Sequence, residues 1–270
     1  MTEPSLEWIL KNAVAIAPLR MDSFDARLYH NLWFAFDEEH PLAHYIKLEH
    51  FENLLRASAL RFKRLDLYKD SYEGRYPAAN RTKEATVSAN LTHDLKIKND
   101  LDAMITSQNI ARKYSYIHCW FGQEAENLPM WERYADQGRG ICVKSSTSSI
   151  RSSLQPPPDL HLHLGKVTYS DEATPIGSFF SEAPAFRKHP DYQQESEYRL
   201  LAQIKLENLP TGKDGYLEVA PDFRLVDISL PKFAHEVLIG PRCSIDQTKH
   251  VFEIANRYLP GIPIRSSDFW

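Results

Sequence analysis

The sequence predicts an α+β domain in which a mixed or antiparallel central sheet is flanked by helices. Two patterns carry this: apolar residues spaced three and four apart over residues 47–58 and again near the C-terminus, and short aromatic and β-branched runs between them. A third is negative, because no fixed-period repeat, heptad or low-complexity tail points to a solenoid or coiled coil. Hydrophobic residues make up 43% of the 270 and charged residues 25%, a balance that buries a core.

Residues 5–17 carry apolar side chains on most faces before Pro18, and an aromatic run follows at Leu32-Trp33-Phe34-Ala35-Phe36. Residues 1–40 therefore read as an N-terminal arm or helix packing on the domain, and residues 41–270 as a single α+β domain. Leu48, Phe51, Leu54 and Leu55 define one face of a helix over residues 47–58. Leu60 and Phe62 alternate with basic neighbours over residues 59–63, as on a half-buried strand whose cations face solvent. Residues 82–114 are polar and helically spaced, which predicts one or two surface helices.

Strands follow at residues 114–121 and 140–144, separated by a helix-like stretch at 127–138. Residues 145–153 form a loop or short helix that stops at Pro156-Pro157-Pro158. Further strands are predicted at 163–170, 197–206 and 235–240, and a closing helix at 247–258.

A net charge of −4 and a pI near 6.3 give no overall drive toward nucleic acid. The acidic start and the lack of any run near the roughly 18 apolar residues of a membrane span predict a cytoplasmic chain without a membrane partner. Cys119, Cys142 and Cys243 are odd in number and sit beside apolar residues, as reduced core thiols do. The sequence has no CxxC, HExxH, GxSxG, Walker loop or GxGxxG. His161 and His163 share a strand face without a third ligand nearby, so no metal is expected.

The sharpest polar cluster is Glu195-Ser196-Glu197-Tyr198-Arg199, where period two puts Glu195, Glu197 and Arg199 on one strand face. Such a face is either a solvated salt-bridged surface or the floor of a site. Trp131, Arg133 and Tyr134, with the turn at Gly138-Arg139-Gly140, are candidates to line that site. His44 and Tyr45 stand at the head of a further strand.

These blocks, in order, resemble the bacterial domain-of-unknown-function family DUF2971: HYIKLEHFENLLRASALRF, DSYEG, YIHCWFGQEAENLPMWERYADQGRGICVKSS, KVTYSD, ESEYRLL, EVLIGPRCSID and RSSDFW, over residues 43–270. Ser71 stands where the family pattern carries Pro. The order of motifs is also similar to that of ADP-ribosyltransferases, with a His or Arg on an early strand, an aromatic or Ser block in a middle strand and an ExE on a late one; residues 115–121 lack the Ser-Thr-Ser of one branch.

That similarity implies an ADP-ribosyltransferase-like fold and an enzyme using NAD as substrate, either a transferase or a glycohydrolase, acting as a toxin or defence effector on a protein or nucleic-acid acceptor. Glu197 would stabilise the oxocarbenium-like state, Glu195 would orient the acceptor and His44 would hold the ribose. Tyr45, Trp131, Tyr134 and Arg199 would bind the dinucleotide, with Trp131 or Tyr134 stacking on nicotinamide. The alternative is a non-enzymatic binding or regulatory module with an aromatic groove.

Overall fold

The computed structural model describes residues 39–68, 110–169, 183–213 and 216–269. The predicted arm up to residue 38, the polar helical stretch up to residue 109 and the DSYEG block lie outside the described residues.

A strand short of partners along part of one edge organises the molecule. β3 (Ser115–Phe121) pairs along its whole length with β9 (Glu197–Ile204), from Ser115 opposite Gln203 to Phe121 opposite Glu197. On its other edge two strands diverge: β1 (Pro41–Ile46) meets it only at Ala43 and Phe121, and β2 (Ala59–Arg64) only at Ile117 and Tyr116. Between them the sheet splits beside residues 118–120.

From the split, one arm continues through β1 to β4 (Ile141–Ser146), β11 (Glu236–Ile239) and β12 (Ile264–Ser266); the other continues through β2 to β10 (Phe223–Ile228) and β5 (Leu154–Gln155). β6 (Leu160–Lys166) lies outside β9. In this ten-stranded sheet only the β11–β12 pairing is parallel. A separate pair, β7 (Thr168–Tyr169) and β8 (Arg187–Lys188), is also parallel.

Alternation along these registers sorts the side chains onto two faces. One face carries Leu42, His44, His118, Trp120, Tyr198, Leu200, Val143 and Val237, and its apolar side chains are buried under helices α1 (Leu48–Ala57), α3 (Thr147–Ser153), α4 (Leu230–Phe233) and α5 (Ile245–Tyr258). α1 buries Phe51, Leu54 and Leu55, the predicted stripe, and ends where Ser58 turns left-handed at φ 49 so that β2 starts at once. α5 opens on a capping box between Ser244 and Gln247 and packs beside α1, joined by His250 and Glu52 at 2.6 Å. Tri-proline residues follow immediately after the Gln155–Asp227 pairing; without N–H groups they cannot extend the ladder along β10, and the Arg224–Asp159 ion pair fastens the chain beyond them.

The opposite face holds two smaller apolar clusters. Ala43, Tyr45, Phe121, Cys142 and Leu238 pack under Trp131 of α2 (Leu128–Tyr134), and Ile117, Leu201 and Leu65 pack under Ala185 and Phe186. Glu197 and Arg199 lie between those clusters. Gly165 sits opposite Arg199, where a Cβ would come within 2.7 Å of the Phe186 ring, so the missing side chain lets Phe186 close over this part of the face.

The strands not predicted as such are β5, β8, β10, β12 and most of β1. Among the described residues no helix is long and apolar enough to cross a membrane.

Candidate functional site

Glu195 is not part of the strand, contrary to the period-two reading. Pro190 starts a 3₁₀ turn that ends with Glu195, Ser196 takes a left-handed conformation at φ 40, and β9 begins at Glu197. Gly122 donates its N–H to the Ser196 carbonyl at 2.9 Å, and the Gln123 side chain donates to the Ser196 hydroxyl at 2.8 Å, which fixes the kink. Both carboxylates are thereby aimed at one cation. Lys188 Nζ donates to Glu195 Oε2 at 2.6 Å and to Glu197 Oε2 at 2.9 Å.

The solvated-face reading is also overturned, since Glu195, Glu197 and Arg199 are all buried. Arg199 holds Glu197 through Nε at 2.7 Å and Nη2 at 3.2 Å, and gives Nη1 to the Ala185 carbonyl. Glu195 Oε1 accepts from Arg133 at 2.6 Å and from the Tyr134 hydroxyl at 2.8 Å. The Tyr169 hydroxyl accepts from the Glu197 N–H at 2.7 Å, so the short β7–β8 pair delivers both Tyr169 and Lys188 to the same place. Two carboxylates are thus matched by three cations.

Burial by itself pushes the Glu197 carboxyl up, but Arg199, through charge and hydrogen bonding, and Lys188 together hold it down to about 2. The Cys119 thiol hydrogen-bonds the same carboxylate, so this half-buried cysteine does more than pack. Burial raises Tyr134, and the neighbouring Glu195 charge raises it further, so its hydroxyl stays a donor. Burial likewise pushes Tyr169 up to about 12.

His44 does not join this cluster. Ala43, Phe121 and Glu197 are in register on one face, so His44 projects from the other. There its Nδ1 donates to the Cys119 carbonyl at 3.1 Å, while His118 Nδ1 donates to the Arg61 carbonyl at 3.1 Å. The two imidazoles bond backbone carbonyls at the split, where neither β1 nor β2 is paired with β3. Their rings lie 4.4 Å apart, against Trp120. Burial holds His44 well below the usual imidazole range and, for His118, down to about 4, so both are neutral at pH 7.

Trp131 and Tyr45 belong to the packing. Trp131 is fully buried, donates Nε1 to Glu126 at 3.0 Å and meets Tyr45 edge-on at 5.0 Å. The Tyr45 hydroxyl accepts from the Asn127 N–H at 3.0 Å. Glu126 also accepts from Ser267 and from the Asp268 N–H, so it latches α2 to the C-terminal segment. Of the residues expected to hold a dinucleotide, Tyr134 alone presents a large part of its surface, 39%. Lys188 was missed from the sequence because no periodicity runs through residues 183–195.

The fold and cluster define an α+β protein with a split, mostly antiparallel sheet and a buried carboxylate–cation network on its less covered face. Residues 130–200, which carry Tyr134, Lys188, Glu195, Glu197 and Arg199, match the family model described as Protein of unknown function (DUF2971). No curated protein and no solved structure matches the chain. Among the described residues no group of three His, Cys, Asp or Glu is placed to hold a metal ion.

Proposed function

We propose that the face bearing Glu197 is the site of an NAD-using enzyme of ADP-ribosyltransferase type, with transfer or hydrolysis as its outcome. The observation that carries this reading is the convergence of Glu195 and Glu197 from β9 and its preceding turn with the half-exposed Tyr134 of α2. The Tyr134 ring stacks on nicotinamide. The negative charge of the dinucleotide diphosphate competes for Lys188 and Arg133, whose side chain is about half exposed, and so loosens the carboxylates. Glu197 then faces the positive charge that develops at the ribose as its bond to the nicotinamide nitrogen breaks. The acceptor oxygen or water forms the new bond to that carbon, and its proton passes to Glu195. His44, on the other face, takes no part.

A second reading is favoured by a specific feature. Each carboxylate of the pair is held by cations, and Trp131 and Tyr45 are buried, as in a structural lock inside a non-enzymatic binding module. Incubating the full chain with NAD labelled in the adenylate and, separately, in nicotinamide, with and without cell lysate, separates them. Nicotinamide release or label transfer, at least tenfold weaker in Tyr134→Ala, supports the enzyme. A wild-type chain that neither consumes NAD nor shows a raised melting temperature with millimolar NAD leaves the module.

A further inference from the structure

Four of the nine exposed large hydrophobic residues among the described ones fall within residues 216–225: Tyr216, Val219, Phe223 and Leu225. That concentration is not explained by core packing, and it lies beside exposed cations. Arg61 stands opposite Leu225, and Lys63 opposite Phe223, so the four side chains share one sheet face in two rows. The Arg61 guanidinium lies 4.1 Å from the Phe223 ring centre, and Lys63 Nζ lies 4.8 Å from that of Tyr68. Arg61 and Lys63 are two residues apart on one strand, about 6.6 Å along it.

We infer that this face of β2 and β10 binds single-stranded nucleic acid. Successive phosphates of an extended strand meet the row formed by Arg61 and Lys63, and bases stack on Phe223 and on Tyr68. A sheet face fits an unpaired strand better than a duplex, because only unpaired bases offer their rings to it. The chain's net charge of −4 keeps attraction local to these cations, so binding is weak and short in footprint. Charge complementarity alone also suits an acidic peptide, but the pairing of each cation with a ring favours bases. This inference does not depend on NAD chemistry.

The test is fluorescence anisotropy of the full chain with a labelled ten-nucleotide single strand, RNA and DNA in parallel, across a salt series. With two phosphates neutralised, the slope of log affinity against log salt should be about −1.4. Arg61→Gln with Lys63→Gln should bring it close to zero, and Phe223→Ala should weaken binding roughly five- to a hundred-fold at fixed salt. All three side chains are exposed, so melting temperatures should stay unchanged. The inference is overturned if the wild type binds no single strand at low salt, if duplex binds as tightly, or if a poly-glutamate peptide displaces the strand at equal concentration, which would assign the face to an acidic protein partner.

Discussion

Glu197 is surrounded by groups that need its charge. Arg199 is fully buried and bonds it twice, and Lys188 is nearly so. Removing one member of a buried pair leaves the others uncompensated, at a cost of about 3–5 kcal/mol. Glu197→Gln should therefore lower stability by about that amount in urea unfolding, whereas a carboxylate on a wet strand face would cost about 0–1 kcal/mol. If Glu197 also acts as proposed, function and stability change together there, and Tyr134→Ala is the cleaner test of that proposal. Trp131→Phe makes the complementary case. It keeps the ring but removes a donor to Glu126, so stability should fall by about 1–3 kcal/mol while any NAD affinity stays unchanged; a lost affinity with intact folding would return Trp131 to the site.

At the scale of elements, the features that behave as predicted are those closed by local rules. α5 begins at Ser244 because its hydroxyl accepts the Gln247 N–H at 3.1 Å and the Gln247 side chain returns to the Ser244 N–H at 2.9 Å. Ser244→Ala should cost about 1 kcal/mol, read as a drop in melting temperature with native chemical shifts elsewhere. The 3₁₀ turn into β9 is the contrary case. Its kink at Ser196 depends on Gly122 and Gln123, over seventy residues away, so the residues around it read locally as a continuous strand.

For the whole molecule, acid should act in two stages. His44 and His118 are held neutral inside the fold and titrate near 6.5 when unfolded, so they stabilise the native state fully only above that pH. As pH falls from about 6.5 toward 4 the unfolded chain gains protons the native one does not, and stability falls; His118 alone contributes on the order of 3 kcal/mol. Glu197 acts in the same direction at lower pH: its stabilisation is present above the unfolded carboxylate range, near 4.5, and is lost as pH drops toward 2. Urea midpoints at pH 7.5, 5 and 3 should therefore decrease in order. A midpoint at pH 5 equal to that at 7.5 would mean the imidazoles are not sealed in the split.

The sequence by itself determined the α+β class, the amphipathic helices α1 and α5 and the apolar strands β3, β4, β9 and β11, because each is governed by residues within a few positions of one another. It also marked Glu195, Glu197, Arg199, Arg133 and Tyr134 as a group. Only the tertiary structure decided what that group is. β1 was mostly hidden because a histidine and a tyrosine blur its alternation, and β10 because Arg224 lies among apolar residues while Phe223 and Leu225 face solvent. The pairing of Ala43 with Phe121, and of Phe121 with Glu197, sends His44 to the far face, and a parallel two-residue ladder brings Lys188 between the carboxylates. Register and ion pairing are properties of segments far apart in the chain, and a one-residue change in register exchanges the two faces of a strand, so local patterns show which residues carry charge but not which of them meet.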